Sequence, residues 1–445
     1  MTKDMTKGNP TGLLLQFGIP MLIGNTLQQF YSIADTAIVG RGIGTSALAA
    51  VGATGSLNWF VMGFITGFTH GFSISISQYF GQKDEKGTKK SIVMSLYLSL
   101  IIAVAVSVLS AVFSRQLLTL MGTPEDIMDE AVLYITLIFA GAFTIVMYNI
   151  AASILRSLGD SKTPTVVIFI CSAVNIVLDL LFVCVFGWGV AGAAVATLIA
   201  SFISGIICLI VLSRIPMLKL TKDDLKWDSK IAAELIKLGL PVGLMNSVTA
   251  VGTLILQWVV NSFGSATVAA YTLGTKIVGL ADQATNVLCG MALGTYVGQN
   301  KGAGRLDRVR LGVRSAVLIS VVMSVIVTAI MIFLGKPIAS IFVSSGETQA
   351  VDGAYPYLVI CGSMIWSLCL LFVFRFALQG LGDTVVPMFS GFLELALRLS
   401  VVFIIPASFG FYRVCWAEVS AWCGAMIMLG IGYFVRMRKL TEEKG

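Results

Sequence analysis

Asn175 and Asp179 stand four residues apart in the run Asn175-Ile176-Val177-Leu178-Asp179. On a helix this spacing stacks an amide one turn behind a carboxylate on the same face. One carboxylate with one amide carbonyl is an oxygen set suited to a hard cation such as Na+. The same carboxylate, buried without a counter-charge, is equally suited to carrying a proton. A carboxylate hydrogen-bonded to a neighbouring helix for packing is the reading that needs no ligand. Asp35 ends a second polar face. Gln28, Tyr31 and Asp35 follow a three-then-four spacing that lines them along one side of a helix. An amide, an aromatic ring and a carboxylate on one face fit a wet cleft that receives cations. The plainer alternative is a carboxylate near the outer interface, where water reaches it.

Further charges interrupt apolar stretches: Lys276, Asp282, Arg375, Glu394, Arg398 and Glu418. An ionised side chain in hydrocarbon costs about 2.5–3.5 kcal/mol on the mildest scale, so each requires a partner, a wet cavity or a neutral form. Glu394 and Arg398 are one turn apart, acid first, the order that favours an internal ion pair. Such a pair either packs or gates. Asp282, Gln283 and Asn286 follow Lys276; they either line a cavity, meet other helices or, for Asp282, neutralise Lys276. His70, the single histidine, stands among Gly63, Gly67 and Gly71, a small-residue face that favours a packed neutral ring over a proton relay. The eight cysteines fall inside apolar segments and form no CxxC, so they read as small packing residues, not disulfides or metal ligands.

The elements that hold these residues are membrane helices. The chain has 445 residues, 57% hydrophobic and 12% charged, whereas a soluble enzyme carries about a quarter charged. The pattern predicts an all-α integral membrane protein with twelve helices, at 11–39, 46–80, 90–114, 124–157, 163–186, 190–213, 231–262, 266–298, 310–335, 349–381, 385–408 and 413–436. Gly40-Arg41-Gly42 reads as a tight connection. Thr123 reads as an N-cap with Pro124 at the first helical position. The polar start from Met1 to Pro10 has no small-residue cleavage site, so no signal peptide is expected.

The chain also repeats itself. Leu155-Arg156-Ser157-Leu158-Gly159-Asp160-Ser161-Lys162-Thr163-Pro164 recurs as Leu378-Gln379-Gly380-Leu381-Gly382-Asp383-Thr384-Val385-Val386-Pro387, 223 residues on. Ile19-Pro20 and Leu240-Pro241, Ala49-Ala50 and Ala269-Ala270, Gly81-Gln82 and Gly298-Gln299 keep nearly the same step. A long-period repeat in an apolar chain points to two membrane halves around a shared site, a transporter architecture. The expected organisation is an N-terminal lobe (1–213, helices 1–6), an inter-lobe linker (214–230) and a C-terminal lobe (231–445, helices 7–12 and a short tail). Six helices per half is even, so a pseudo-two-fold axis along the membrane normal is expected. By the 223-residue step Asn175 corresponds to Arg398 and Asp179 to Val402, so the halves diverge where chemistry would lie. An arginine does not titrate and cannot bind a coupling cation.

With the N-terminus inside, 23 of the 30 lysines and arginines fall on the inner side, Lys444 among them, and only Arg41, Arg115, Lys336 and Arg413 on the outer. This bias places both termini in the cytoplasm. The net charge of +7 then implies contact with an anionic inner leaflet, not with nucleic acid.

At this point the residues match a family. The chain resembles the multidrug and toxic compound extrusion (MATE) transporters. The resemblance rests on Ile19-Pro20, the run Asp35-Thr36-Ala37-Ile38-Val39-Gly40, Gln78-Tyr79-Phe80-Gly81-Gln82-Lys83-Asp84, the paired Leu-Gly-Asp-x-x-x-Pro blocks and Asn175-Ile176-Val177-Leu178-Asp179. It implies two pseudo-symmetric six-helix lobes forming a V-shaped cleft. It implies export of bulky, amphipathic, mostly cationic compounds in exchange for Na+ or H+ by alternating access, with no cofactor besides the ion. It further implies an N-lobe cation site at Asp35, Asn175, Asp179 and Thr197, which would be the ligand set if the ion is Na+. Gln28, Tyr31 and Asn149 look like lining residues of that lobe. A second branch of the family carries a Glu on helix 7; here no acid lies from Leu235 to Ala281, which points to the N-lobe site. Gln283, Asn286 and Arg398 are expected on the other lobe's side of the cavity. The resemblance thus implies a monomeric, multi-pass protein of the cell membrane whose partners are small-molecule drugs and the lipid bilayer.

The rival reading is a lipid-linked sugar flippase of the same superfamily shape. It would line its cleft with arginines for a pyrophosphate-bearing substrate. Arg398 speaks for it; five span acids against Lys276, Arg375 and Arg398 speak against it. An enzyme is not expected, because one histidine excludes a multi-histidine metal site and no P-loop is present. No symmetric filter segment suggests a channel.

Overall fold

A computed structural model describes residues 2–343 and 348–443. Lys444, counted above on the inner side, lies outside the described residues. The helices are α1 (Pro10–Gly42), α2 (Thr45–Gln82), α3 (Glu85–Leu120), α4 (Glu125–Ala140), α5 (Ala142–Ser157), α6 (Lys162–Asp179), α7 (Gly189–Ser213), α8 (Ser229–Asn261), α9 (Ser265–Thr285), α10 (Ala292–Gly302), α11 (Leu306–Phe333), α12 (Gly335–Ile341), α13 (Thr348–Ser363), α14 (Ile365–Gly380), α15 (Val385–Ile404) and α16 (Tyr412–Glu442); no strand occurs among the described residues. Nine helical runs there are long and apolar enough to cross a membrane. Two bent pairs, α4 with α5 at 47° and Gln349–Ser363 with α14 at 49°, each complete one more. The first helix, α1, is 33 residues long but is not among these runs, its apolar sequence being diluted by Gln16, Asn25, Gln28, Gln29 and Asp35. The expected all-α membrane fold is therefore the fold observed, with up to eleven apolar spans among the described residues where twelve are expected.

Local differences have local causes. The fourth span is not one straight helix: it bends at Gly141, where a Cβ would come within 2.3 Å of Leu198. The tenth bends at Met364, 223 residues later, so the kink is part of the repeat. Gly40-Arg41-Gly42 belongs to α1, and the connection falls at Ile43 and Gly44 instead. Thr123 does not cap α4; Pro124 precedes the first helical residue, and no side chain caps it. The repeated Leu-Gly-Asp blocks are turn machinery. Gly159 and Gly382 adopt φ of 85° and 80°, a left-handed conformation that glycine takes without steric cost. The amides of Asp160 and Asp383 then reach back to Leu155 and Leu378, each at 2.9 Å, closing the preceding helix. The Asp160 carboxylate accepts from the Thr163 amide at 3.0 Å and the Asp383 carboxylate from the Val386 amide at 3.2 Å, starting the next helix.

The chain forms two compact units: Met1–Asp4 with Ile23–Ser247, and Met5–Leu22 with Val248–Gly445. Both boundaries inside helices fall close to a proline, Pro20 in α1 and Pro241 in α8. In the first unit α2 meets the first half of α8 at backbone distance: a Cβ on Gly71 would lie 2.4 Å from the Gly239 Cα, and one on Gly67 2.6 Å from the Asn246 amide. This is the close small-residue packing expected around His70. In the second unit Leu13, Leu14, Phe17 and Met21 of α1 join the core with Leu288, Leu293 and Tyr296. Seven of the eight cysteines are at least partly buried and all eight are free thiols.

Candidate functional site

In the first unit α6 ends at Asp179 and continues through a widened π-helical turn, Leu180–Val185, closed by the Phe186 amide reaching back five residues to Leu181 at 2.9 Å. Such turns concentrate at functional sites. Here it leaves Asn175 and Asp179 on the inward face, both essentially inaccessible. The Asn175 amide satisfies both of its atoms when its nitrogen donates to Asp179 Oδ2 at 2.8 Å and its oxygen accepts from the Thr197 backbone amide at 3.2 Å. Turned over, its oxygen faces the Asp179 carboxyl, an arrangement that calls for a cation or a proton between them.

Asp35 of α1 meets this group from the other side: its carboxyl lies within hydrogen-bonding reach of Asp179. The Tyr31 hydroxyl is likewise in reach of Thr197. One oxygen of each carboxyl, Oδ1 of Asp35 and Oδ1 of Asp179, is buried without a hydrogen-bond partner. Among the described residues no ion pair includes either acid. Three helices, α1, α6 and α7, thus bring Asp35, Tyr31, Asn175, Asp179 and Thr197 together around two carboxyls with no fixed counter-charge. Tyr134 of α4 also lies close to Asp35, Tyr31 and Asp179. Glu130 stands one turn before it on the same helix, an i,i+4 pairing that the spacing of the candidate residues above does not include. Gln28 is exposed. Asn149 donates to the Ile145 carbonyl of its own helix at 3.0 Å instead of to this cluster.

The second unit solves its charge problem differently. Glu394 and Arg398 are not an isolated pair. They are the middle of a buried chain, Arg375–Glu394–Arg398–Glu418, that ties α14, α15 and α16 together. The link read from the one-turn spacing is the long one, at 3.8 Å, whereas Arg398 Nε donates to Glu418 at 2.9 Å. Arg375 donates to both Glu394 and, at 3.5 Å, the Ser390 hydroxyl. Arg398 Nη1 is left without a partner beside Gly252 of α8, where a Cβ would approach it to 3.0 Å. Asp282 lies in the field of all four charges and forms no ion pair with Lys276, which is exposed. Asn286 opens a second π-helical turn, Asn286–Met291, and its Oδ1 is buried and unpartnered; Gln283 lies just before it, half-buried.

The family model MatE matches this chain twice, over residues 20–181 and again over 241–404. The two matches restate the internal repeat. A protein of Bacillus subtilis named "Probable multidrug resistance protein YpnP" is 28% identical over 309 residues, covering 69% of this chain and 68% of that one. The "Probable multidrug resistance protein NorM" of Thermotoga maritima is 25% identical over 413 residues, covering 88% and 85%. A solved structure described as MATE in the bent conformation superposes with a TM-score of 0.91 at 24% identity, covering 100% of this chain and 99% of the other. The chain is a multi-pass membrane protein that belongs to the MATE family, a family of transporters and not of enzymes.

Proposed function

We propose that this protein is a multidrug exporter of the cell membrane that exchanges amphipathic, mostly cationic compounds for Na+ or H+ by alternating access. The observation that carries the reading is the contact of the half-buried Asp35 with the buried Asp179, two carboxyls that no lysine or arginine neutralises. A pair of this kind holds a proton or a monovalent cation, because both charges cannot stay together in a low-dielectric site. Asp35, Asn175, Asp179 and Thr197 are the ion-binding set, and the Asn175 amide has one orientation for each state: nitrogen toward an ion-free carboxylate, oxygen toward an occupied one. Tyr31 and the exposed Gln28 lie beside the pair, where drug would enter. Exchange follows if ion and drug compete for the same carboxyls or favour opposite states. Pro20 and Pro241, each interrupting a helix shared between the two compact units, are the hinges we assign to the change. Both termini are cytoplasmic in this reading, the protein acts as a monomer, and Gln283, Asn286 and Arg398 face the drug from the second half.

The test is dye efflux from proteoliposomes under an imposed Na+ gradient and, separately, an imposed pH gradient, with wild type beside Asp179→Asn. Transport driven by one gradient and lost in the variant identifies the ion. Normal coupled efflux in Asp179→Asn would sink the proposal. Absence of efflux under either gradient, with folded protein, would favour the lipid-linked flippase. That rival has little support in the charge balance, since Arg398 is already held by Glu418 and Glu394.

A further inference from the structure

The connection between α7 and α8 is polar in composition but not a loose tether. Asp224 is buried and closes a turn by accepting from both the amide and the hydroxyl of Thr221, each at 2.8 Å. These two bonds, with Lys89 and Lys86 of α3 nearby, hold its carboxyl below the ordinary range. Trp227 stacks on Tyr97 of α3 with centroids 6.4 Å apart, and the Tyr97 hydroxyl donates to the Leu225 carbonyl at 3.2 Å. Asp228 pairs with Lys90 of the same helix at 2.9 Å. The loop is therefore pinned against the start of α3.

What this pinned loop presents outward is a mixed surface. Leu220 and Leu225 are each 46% exposed and Trp227 52% exposed. Arg214, Lys219, Lys222, Lys226 and Lys230 are exposed around them. The loop's acids are consumed internally: Asp223 by Lys226 at 2.7 Å, Asp224 by Thr221 and Asp228 by Lys90. Lys219, Lys222 and Lys230 have no acidic partner among the described residues, and Lys230 stands in the first turn of α8, where a cation opposes the helix dipole. Three exposed apolar side chains among uncompensated cations, at the ends of two membrane spans, match the bilayer interface: apolar groups for the acyl boundary, an indole for the headgroup level, ammonium groups for phosphate.

We propose that this loop, together with Lys86 and Lys89, is a docking site for anionic phospholipid headgroups, which fixes the connection between the two halves to the membrane surface. The proposal rests on the orientation given above only for which leaflet is engaged. In the test the full-length protein is placed in nanodiscs whose two leaflets are identical, so its outcome is independent of orientation and of transport. Tryptophan quenching is measured with brominated phosphatidylglycerol and with brominated phosphatidylcholine, and the Trp227 contribution is isolated by difference against Trp227→Phe. Phosphatidylglycerol should quench Trp227 preferentially. Replacing Lys219, Lys222 and Lys230 by Gln should weaken that preference by roughly fivefold per lysine, and replacing them by Arg should retain it. These side chains are exposed, so melting in phosphatidylcholine should be unchanged and serves as the folding control. An unquenched Trp227 would place the loop off the membrane, facing solvent or a protein partner, and overturn the proposal. Equal quenching by both lipids, unaltered in the triple Gln variant, would reduce it to apolar contact and overturn it as well.

Discussion

Asp179 and Val402 occupy the same place in the two repeats, as do Asn175 and Arg398, and all four side chains are buried. Around the first pair the protein gathers two carboxyls and no cation; around the second it gathers two arginines and two glutamates that neutralise one another. A charge answered by a covalently fixed partner has no use for a mobile one. A charge left unanswered in a low-dielectric interior must take up something from outside. In the proposed function the first half reads an ion gradient, whereas its counterpart is a fixed brace across three helices.

The largest effect expected is on the brace. Arg398→Met leaves Glu418 and Glu394 buried without their common partner, which should destabilise the protein by about 3–5 kcal/mol. A large fall in melting temperature in detergent is the expected readout, and unchanged melting would mean that the four-residue chain holds nothing. Asp179→Asn should do the opposite on both counts. It removes an uncompensated buried charge, so melting should be unaltered or higher while gradient-driven efflux disappears. If Asp179→Asn melts as early as Arg398→Met, the two regions are not different in kind and the contrast fails.

The spans themselves were legible because hydrocarbon demands about twenty apolar residues and the chain supplies them repeatedly. The kinks were not: Gly141 in a helical run is compatible with a straight helix until Leu198 of another helix is seen beside it. The same limit applies to the charges. Spacing along one helix connected Glu394 to Arg398 and Asn175 to Asp179. Their stronger or more telling partners, Glu418, Arg375 and Asp35, sit on other helices, and no periodicity reports them. Thr197 was reached through the family resemblance alone, and Tyr134 not at all. The sequence likewise marks 214–230 as a linker, but the pinning of this loop by Tyr97 and Thr221 is tertiary information.

A smaller effect sharpens the comparison from the other direction. Val402→Asp puts a carboxylate at the repeat position of Asp179, one turn from Arg398, whose Nη1 has no partner. With that guanidinium at hand the new acid should cost less than the roughly 2.5–3.5 kcal/mol of an unpaired charge in a span. Melting should fall modestly and efflux should gain no new ion dependence, because the added carboxylate is answered at once. A new Na+ or H+ requirement would show that a carboxylate at this position suffices for ion binding whatever surrounds it.

The mildest change concerns Tyr134 of α4, which lies in the field of Asp35 and Asp179. If its hydroxyl orients the carboxyl pair, Tyr134→Phe removes one hydrogen-bonding group while keeping the packing against the cluster of Val39, Ala47, Val183, Val190 and Ala193. The net worth of such a group is about 0.5–1.5 kcal/mol. The cation concentration for half-maximal efflux should therefore shift by roughly two- to tenfold, with the maximal rate and the melting temperature nearly unchanged. A shift in rate without a shift in cation dependence would assign Tyr134 to the drug path. No shift in either would leave Asp35, Asn175, Asp179 and Thr197 as the complete ion site, and would mean that a missing counter-charge, without help from a neighbouring phenol, is enough to make a carboxyl pair responsive to an ion.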